Sequence, residues 1–204
     1  MVVGGWECRG GAQPGSARWF STRLTNENCK WLHCRGEPFR VIAALELYAT
    51  LFGIIAFVPK NSAVDGRGII TGSAATDNKG NTYAVAGLMS TKFPLNALLM
   101  ELSEQMDLRG SWLRIDWAPR EQNTYADALT NEEFHNFDAT KRVEVDPAKI
   151  NWVVLEEMIE AGGGLAEELK LLRDKRKEER QARKDAKRRR KSSKQEALKV
   201  RDPW

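Results

Sequence analysis

Three acidic residues in this 204-residue chain stand where a carboxylate can do chemistry. Glu46 sits on the flank of the apolar run Phe39 to Phe57. Asp77 ends the strand-like stretch Ile69–Thr76 and opens the loop Asp77-Asn78-Lys79-Gly80-Asn81. Asp127 falls in the first turn of a short helix that follows Asn123. In an α/β sheet, strand ends and helix starts converge at the carboxyl edge, where sites gather. Carboxylates brought together there suit Mg²⁺, a hard ion that takes oxygen ligands. Two such ions about 3.5–4 Å apart activate a water and stabilise a leaving oxygen in phosphodiester cleavage. Each acid also has an ordinary use: a boundary residue on a helix flank, a turn residue before Asn-Lys-Gly, a partner for a helix dipole.

The elements that must position these acids can be read from the pattern. Gly4–Cys8 and Arg18–Leu24 are short strands, the second rich in aromatic and β-branched residues. Pro38 opens a helix that runs to Phe57, with Leu45, Tyr48, Phe52 and Ile55 on one face. Asp65-Gly66-Arg67-Gly68 is a turn before the strand Ile69–Thr76. Thr82–Arg109 is largely helical, interrupted near Phe93-Pro94, with a stripe of Leu95, Leu98, Leu99, Leu102 and Met106. Trp112–Trp117 alternates, with Leu113, Ile115 and Trp117 on one side and Arg114 and Asp116 on the other. Asn123 is a suitable N-cap for the next helix. The order β, β, α, β, α, β, α implies an α/β layer architecture. Ile150–Ala161 is a further helix, ended by Gly162-Gly163-Gly164.

Two stretches carry most of the remaining information. Trp117-Ala118-Pro119-Arg120-Glu121-Gln122-Asn123-Thr124-Tyr125-Ala126-Asp127-Ala128-Leu129 resembles the last strand, loop and helix of ribonuclease H domains of retroelement reverse transcriptases. Thr76-Asp77-Asn78 is similar to that family's fourth strand and its terminal Asp, and Ala43-Ala44-Leu45-Glu46-Leu47 lies where its helical Glu is expected. Gly4-Gly5-Trp6 and Trp19-Phe20-Ser21 resemble its second and third strands. The resemblance covers about residues 1–130. It implies a ribonuclease-H-like mixed sheet flanked by helices, in the order 3-2-1-4-5. It also implies two Mg²⁺ ions held by Glu46, Asp77 and Asp127, and hydrolysis of RNA in RNA–DNA hybrids. A polymerase domain attached in the full-length element is a further implication. The family has another catalytic Asp on a first strand just upstream of its Gly-Gly-aromatic strand. Here Met1 is three residues before Gly4, so the expectation is a domain lacking that strand and its Asp. The alternative is a non-enzymatic remnant that only binds nucleic acid.

Asn78, Arg120 and Gln122, in loops beside the expected site, are candidate contacts to a nucleic-acid backbone. The other candidate is the tail. Residues 165–204 hold 16 Lys/Arg and 8 Asp/Glu, leaving 16 and 20 for the rest, so an acidic body carries a basic tail. Within it Lys187-Arg188-Arg189-Arg190-Lys191 reads as a phosphate-binding patch or nuclear import signal, or as a solvated helical face. The expected organisation is residues 1–150 as the domain, 151–164 as a helix and glycine linker, and 165–204 as a basic helical or disordered tail.

Other features point away from special chemistry. No run reaches the 18 or so uninterrupted apolar residues of a membrane helix: Val41–Val58 is broken by Glu46 and meets Pro59. The N-terminus lacks a signal peptide's basic and apolar regions, and three cysteines make no disulfide framework, so a reducing, intracellular setting is expected. Cys29, His33 and Cys34 lack the paired spacing of a zinc site. His135 and Asp116 read as surface residues. Of the seven Trp, Trp19, Trp112 and Trp117 read as core or strand-face residues, and none is spaced as a base-stacking platform.

Overall fold

The structure is a computed structural model, and it describes the backbone of residues 1–60 and 70–199. The expected turn Asp65–Gly68 and the first residue of the following strand, Ile69, lie outside the described residues. The chain separates into two compact units, Met1–Gly163 and a second from Gly164 onward.

The first unit is mixed α/β. Strands β1 (Val2–Trp6) and β2 (Trp19–Arg23) pair antiparallel, with Gly4 opposite Ser21. Strands β3 (Ile70–Thr76) and β4 (Ser111–Trp117) pair in parallel, with Ala74 opposite Ile115. Each pair is a sheet of its own. Helix α1 (Ile42–Phe57) follows a 3₁₀ turn that begins at Pro38. Helices α2 (Lys79–Gly87) and α3 (Leu95–Asp107) lie between β3 and β4, and α4 (Thr124–Thr130) follows β4. Helix α5 covers Leu155–Lys199.

Both sheets contribute to one core. Val3 and Phe20 reach it from the first sheet, Leu113 and Ile115 from the second, and α1 and α3 fill it. Helix α1 is buried over far more than one stripe. Leu45, Tyr48 and Phe52 are buried as their spacing predicts, and so are Ala44, Leu47, Leu51 and Ile54. The reason is that α1 packs against β1 on one side and α3 on another, so a single apolar face does not suffice. By length and composition, the segment Pro38–Phe57 is also apolar enough to cross a membrane, a property that the single Glu46 does not remove. Here its apolar side chains are spent on the protein core.

Glycines set the distance between layers at β1. A Cβ at Gly4 would lie 2.6 Å from Leu129 Cβ, so α4 rests directly on the strand backbone. A Cβ at Gly5 would lie 2.9 Å from the Phe20 ring on the core side.

Three local expectations are corrected. The triple glycine 162–164 does not end a helix, since α5 runs through it. Gly162 has a packing reason instead: a Cβ there would lie 2.6 Å from the Phe93 ring. The helix starts at Leu155 and not at Ile150, because its first N–H groups find an acceptor only there. The buried Glu101 carboxylate takes the backbone N–H of Val153, Val154 and Leu155 at 2.8 to 3.2 Å. Finally, Leu113 and Ile115 are buried on β4, but Trp117 at its end is half exposed.

Candidate carboxylate site

The parallel pairing of β3 and β4 brings their carboxyl ends to one edge. Asp77 leaves the end of β3, and the Trp117 indole N–H donates to its backbone carbonyl at 3.1 Å. The backbone N–H of Ala118 donates to Thr76 at 2.9 Å, extending the ladder by one step. The turn that carries Asp77 is therefore clamped by the end of β4.

Asn78 then caps α2, its side-chain oxygen accepting the N–H of Gly80 at 2.9 Å and of Asn81 at 3.3 Å. This corner faces α1. Asn81 is 2% exposed and donates its amide N–H to the Ala43 carbonyl at 2.9 Å, with the Glu46 carboxylate 3.5 Å away. Its own side-chain oxygen is buried without a partner.

Glu46 is thus set beside α2, within reach of the charge of Asp77. Burial is the main force on its carboxyl group and the negative charge of Asp77 the second; together they push it up to about 7. A hydrogen bond from Asn78 and the charge of Arg120 act in the opposite sense. Two carboxylates from separate elements are close enough to feel each other's charge. A carboxyl raised by burial and a neighbouring charge is a mark of functional sites, although structural networks also produce it.

Asp127 is positioned by another set of contacts. Helix α4 is held on the first sheet by Leu129 over Gly4 and by the Ser21 hydroxyl, which donates to the Leu129 carbonyl at 2.8 Å. Asn123 stands at the N-cap, but its side chain makes no capping bond. Its backbone (φ −99°, ψ 19°) is not the extended form that turns a capping side chain inward, and its carbonyl accepts from Asp127 instead. The Asp127 carboxylate lies 3.5 Å from Arg120 Nε. Arg120 is therefore the charge between the acids, acting on Glu46 and paired with Asp127.

The donors at this edge are carboxylate and amide oxygens, the set that suits Mg²⁺. Glu46 feels the charge of Asp77, whereas Asp127 is paired with Arg120. Among the described residues no group of three His, Cys, Asp or Glu is close enough to hold a metal ion. The donor chemistry of these residues fits a divalent ion.

The remaining candidates lie elsewhere or apart. Gln122 is exposed in the 3₁₀ turn Arg120–Gln122. Lys187 and Arg188 are exposed on α5 in the second unit, while the side chains of Arg189, Arg190 and Lys191 lie outside the described residues. Cys29 is buried and burial pushes its thiol up to about 12, while Cys8 and Cys34 are exposed. The residue that sequence reasoning passed over at this edge is Asn81. Its signal was available: a short polar side chain one turn after Asp77, on a helix that must lean against α1.

No family model matches the chain, and no curated protein or solved structure matches it either.

Proposed function

We propose that the first unit is a ribonuclease-H-like domain of retroelement type, with Glu46, Asp77 and Asp127 as its carboxylates. Its reaction on this reading is Mg²⁺-dependent hydrolysis of RNA in RNA–DNA hybrids. The observation that carries it is the corner at the carboxyl end of a parallel strand pair, where Asp77 and the α2 cap Asn78 follow β3 and Asn81 of α2 lies 3.5 Å from the Glu46 carboxylate. The fold supports the reading in a second way. Over one core, β1 pairs only with β2 and β3 only with β4 among the described residues. Two open strand edges of this kind fit a 3-2-1-4-5 sheet whose middle strand is not among those residues.

On this reading Glu46, Asp77 and Asp127 would hold Mg²⁺, which would supply an activated water and charge stabilisation at the leaving oxygen. Asn78 and Asn81 orient Glu46. Arg120, freed from Asp127, is placed to meet a phosphate. The hybrid is selected by its shape and its 2′-hydroxyls.

A specific observation favours the second reading, a nucleic-acid-binding remnant without activity. Asp127 is already neutralised by Arg120, and the α5 segment carries exposed Lys187 and Arg188. Binding of that kind is electrostatic and weakens steeply with salt.

One experiment separates the two. The chain is incubated with a labelled hybrid and Mg²⁺ beside its Asp127→Asn variant. Cleavage by the parent alone supports the enzyme. Equal binding by both without cleavage supports the remnant. Replacing Lys187, Arg188, Arg189, Arg190 and Lys191 by glutamine should then abolish most of that binding, and unchanged binding would remove the tail from the account.

A further inference from the structure

The end of β4 holds an aromatic ring that the fold does not use. Trp117 continues the buried register of Leu113 and Ile115, yet it is 50% exposed. Leaving so much apolar ring in water forgoes burial energy. The ring is nevertheless fixed in place. Its N–H is engaged by the Asp77 carbonyl, and the Lys79 ammonium lies 5.7 Å from the ring centroid. Three residues on, the guanidinium of Arg120 stands at the same edge.

A rigid, half-exposed ring with cations beside it matches one ligand chemistry well: a planar base whose own backbone carries phosphates. Indole stacks on any base, because every base presents a π-face. The cations answer the phosphates on either side of that base. A base inside a duplex is already stacked, so the ring can take only an unpaired one.

Resting on the nucleic-acid reading above, we propose that Trp117 and Lys79, brought together beside Asp77 by β4 and α2, form a stacking platform for an unpaired nucleobase. The platform adds substrate preference to the carboxylate edge: a hybrid with a single-stranded overhang binds better than a blunt one.

The test is binding by fluorescence anisotropy, in Ca²⁺ to suppress cleavage, of a blunt RNA–DNA hybrid and of the same hybrid with a single-stranded extension. The expected result for the parent is roughly 5- to 100-fold tighter binding of the extended hybrid. Trp117→Ala abolishes that difference and leaves the salt dependence unchanged. Trp117→Phe, which keeps a ring, retains most of it. Lys79→Ala, a change at an exposed side chain, lowers the salt slope by about 1. A parent that binds both hybrids equally, or a Trp117→Ala variant that prefers the extension as the parent does, overturns the platform and leaves the proposed function standing. A parent that binds neither hybrid overturns both.

Discussion

Arg120 Nε stands 3.5 Å from the Asp127 carboxylate, so the chain's own cation is paired with one of the three candidate acids. Arg120 is 77% exposed and Asp127 36%, which keeps the pair weak, about 0.2–1 kcal/mol. A divalent ion and Arg120 compete for the same carboxylate. Arg120→Ala is therefore expected to tighten Mn²⁺ binding by up to about 5-fold, followed by the loss of the free-ion paramagnetic resonance signal. The same variant is expected to weaken hybrid binding, because it removes a phosphate contact. Opposite signs for ion and hybrid are the signature; equal weakening of both would remove Arg120 from the acids' service.

Glu46 couples the site to stability. Its carboxyl is raised to about 7, first by burial and second by Asp77, from an ordinary value of 4.5. The folded chain therefore holds this proton more tightly than the unfolded chain does. Between about pH 4.5 and 7 the folded state binds more protons, so stability falls as pH rises through that window. With Glu46 only partly buried, screening leaves an effect on the order of 1–2 kcal/mol. Urea unfolding at pH 5 and pH 8 should show this fall in the parent. Glu46→Gln should flatten it and be the more stable of the two at pH 8, which is the expected behaviour of a charge kept for function.

Two of the candidate acids stand out in the sequence because they lie next to local signals. Asp77 follows a strand and precedes a cap, and Asp127 sits in a helix opened by a Pro-containing loop. The positions that sequence reasoning misread depend on partners far along the chain. Trp117 fits the alternation of β4, but a strand end can turn a side chain out, and here a carbonyl of the neighbouring turn holds it there. Gly162 looks like a helix stop until Phe93 is seen against it. Glu101 lies beside the α3 stripe, and nothing near it in the sequence announces the three N–H groups it accepts. Asp127 and Arg120 are both legible as candidates, but their pairing is a property of the folded loop.

Glu101 is the clearest case of a charge retained for structure. It is wholly buried, caps α5, and takes the Gln105 amide at 2.6 Å. Gln105 in turn accepts from Arg109, whose guanidinium also donates to the Val58 carbonyl. Glu101→Ala leaves the N–H groups of Val153, Val154 and Leu155 without their acceptor. Each buried donor so stranded costs about 1–3 kcal/mol before relaxation. A loss of roughly 2–4 kcal/mol in unfolding free energy is expected. Glu101→Gln keeps one accepting oxygen and should cost about half as much. If both variants melted with the parent, the cap would carry no stability.

Gly4 connects the first sheet to the site. Because a Cβ there would meet Leu129 Cβ at 2.6 Å, Gly4→Ala forces α4 away from β1. Overpacking of this kind costs about 1–3 kcal/mol. The displaced helix is the one that carries Asp127, so the change should reach the carboxylate edge without touching it. Leu129 is fully buried, and truncating it alone opens a cavity. The two changes relieve each other: in Gly4→Ala with Leu129→Gly, the Cβ that the new methyl would meet is gone, and the methyl fills part of the space the side chain leaves. The double variant should therefore be more stable than the sum of the single effects predicts, by about 0.5–3 kcal/mol. Unfolding curves of the four proteins measure that coupling. Additive losses would mean that α4 is not seated on the bare backbone of β1, and that Asp127 owes its place to its own loop alone.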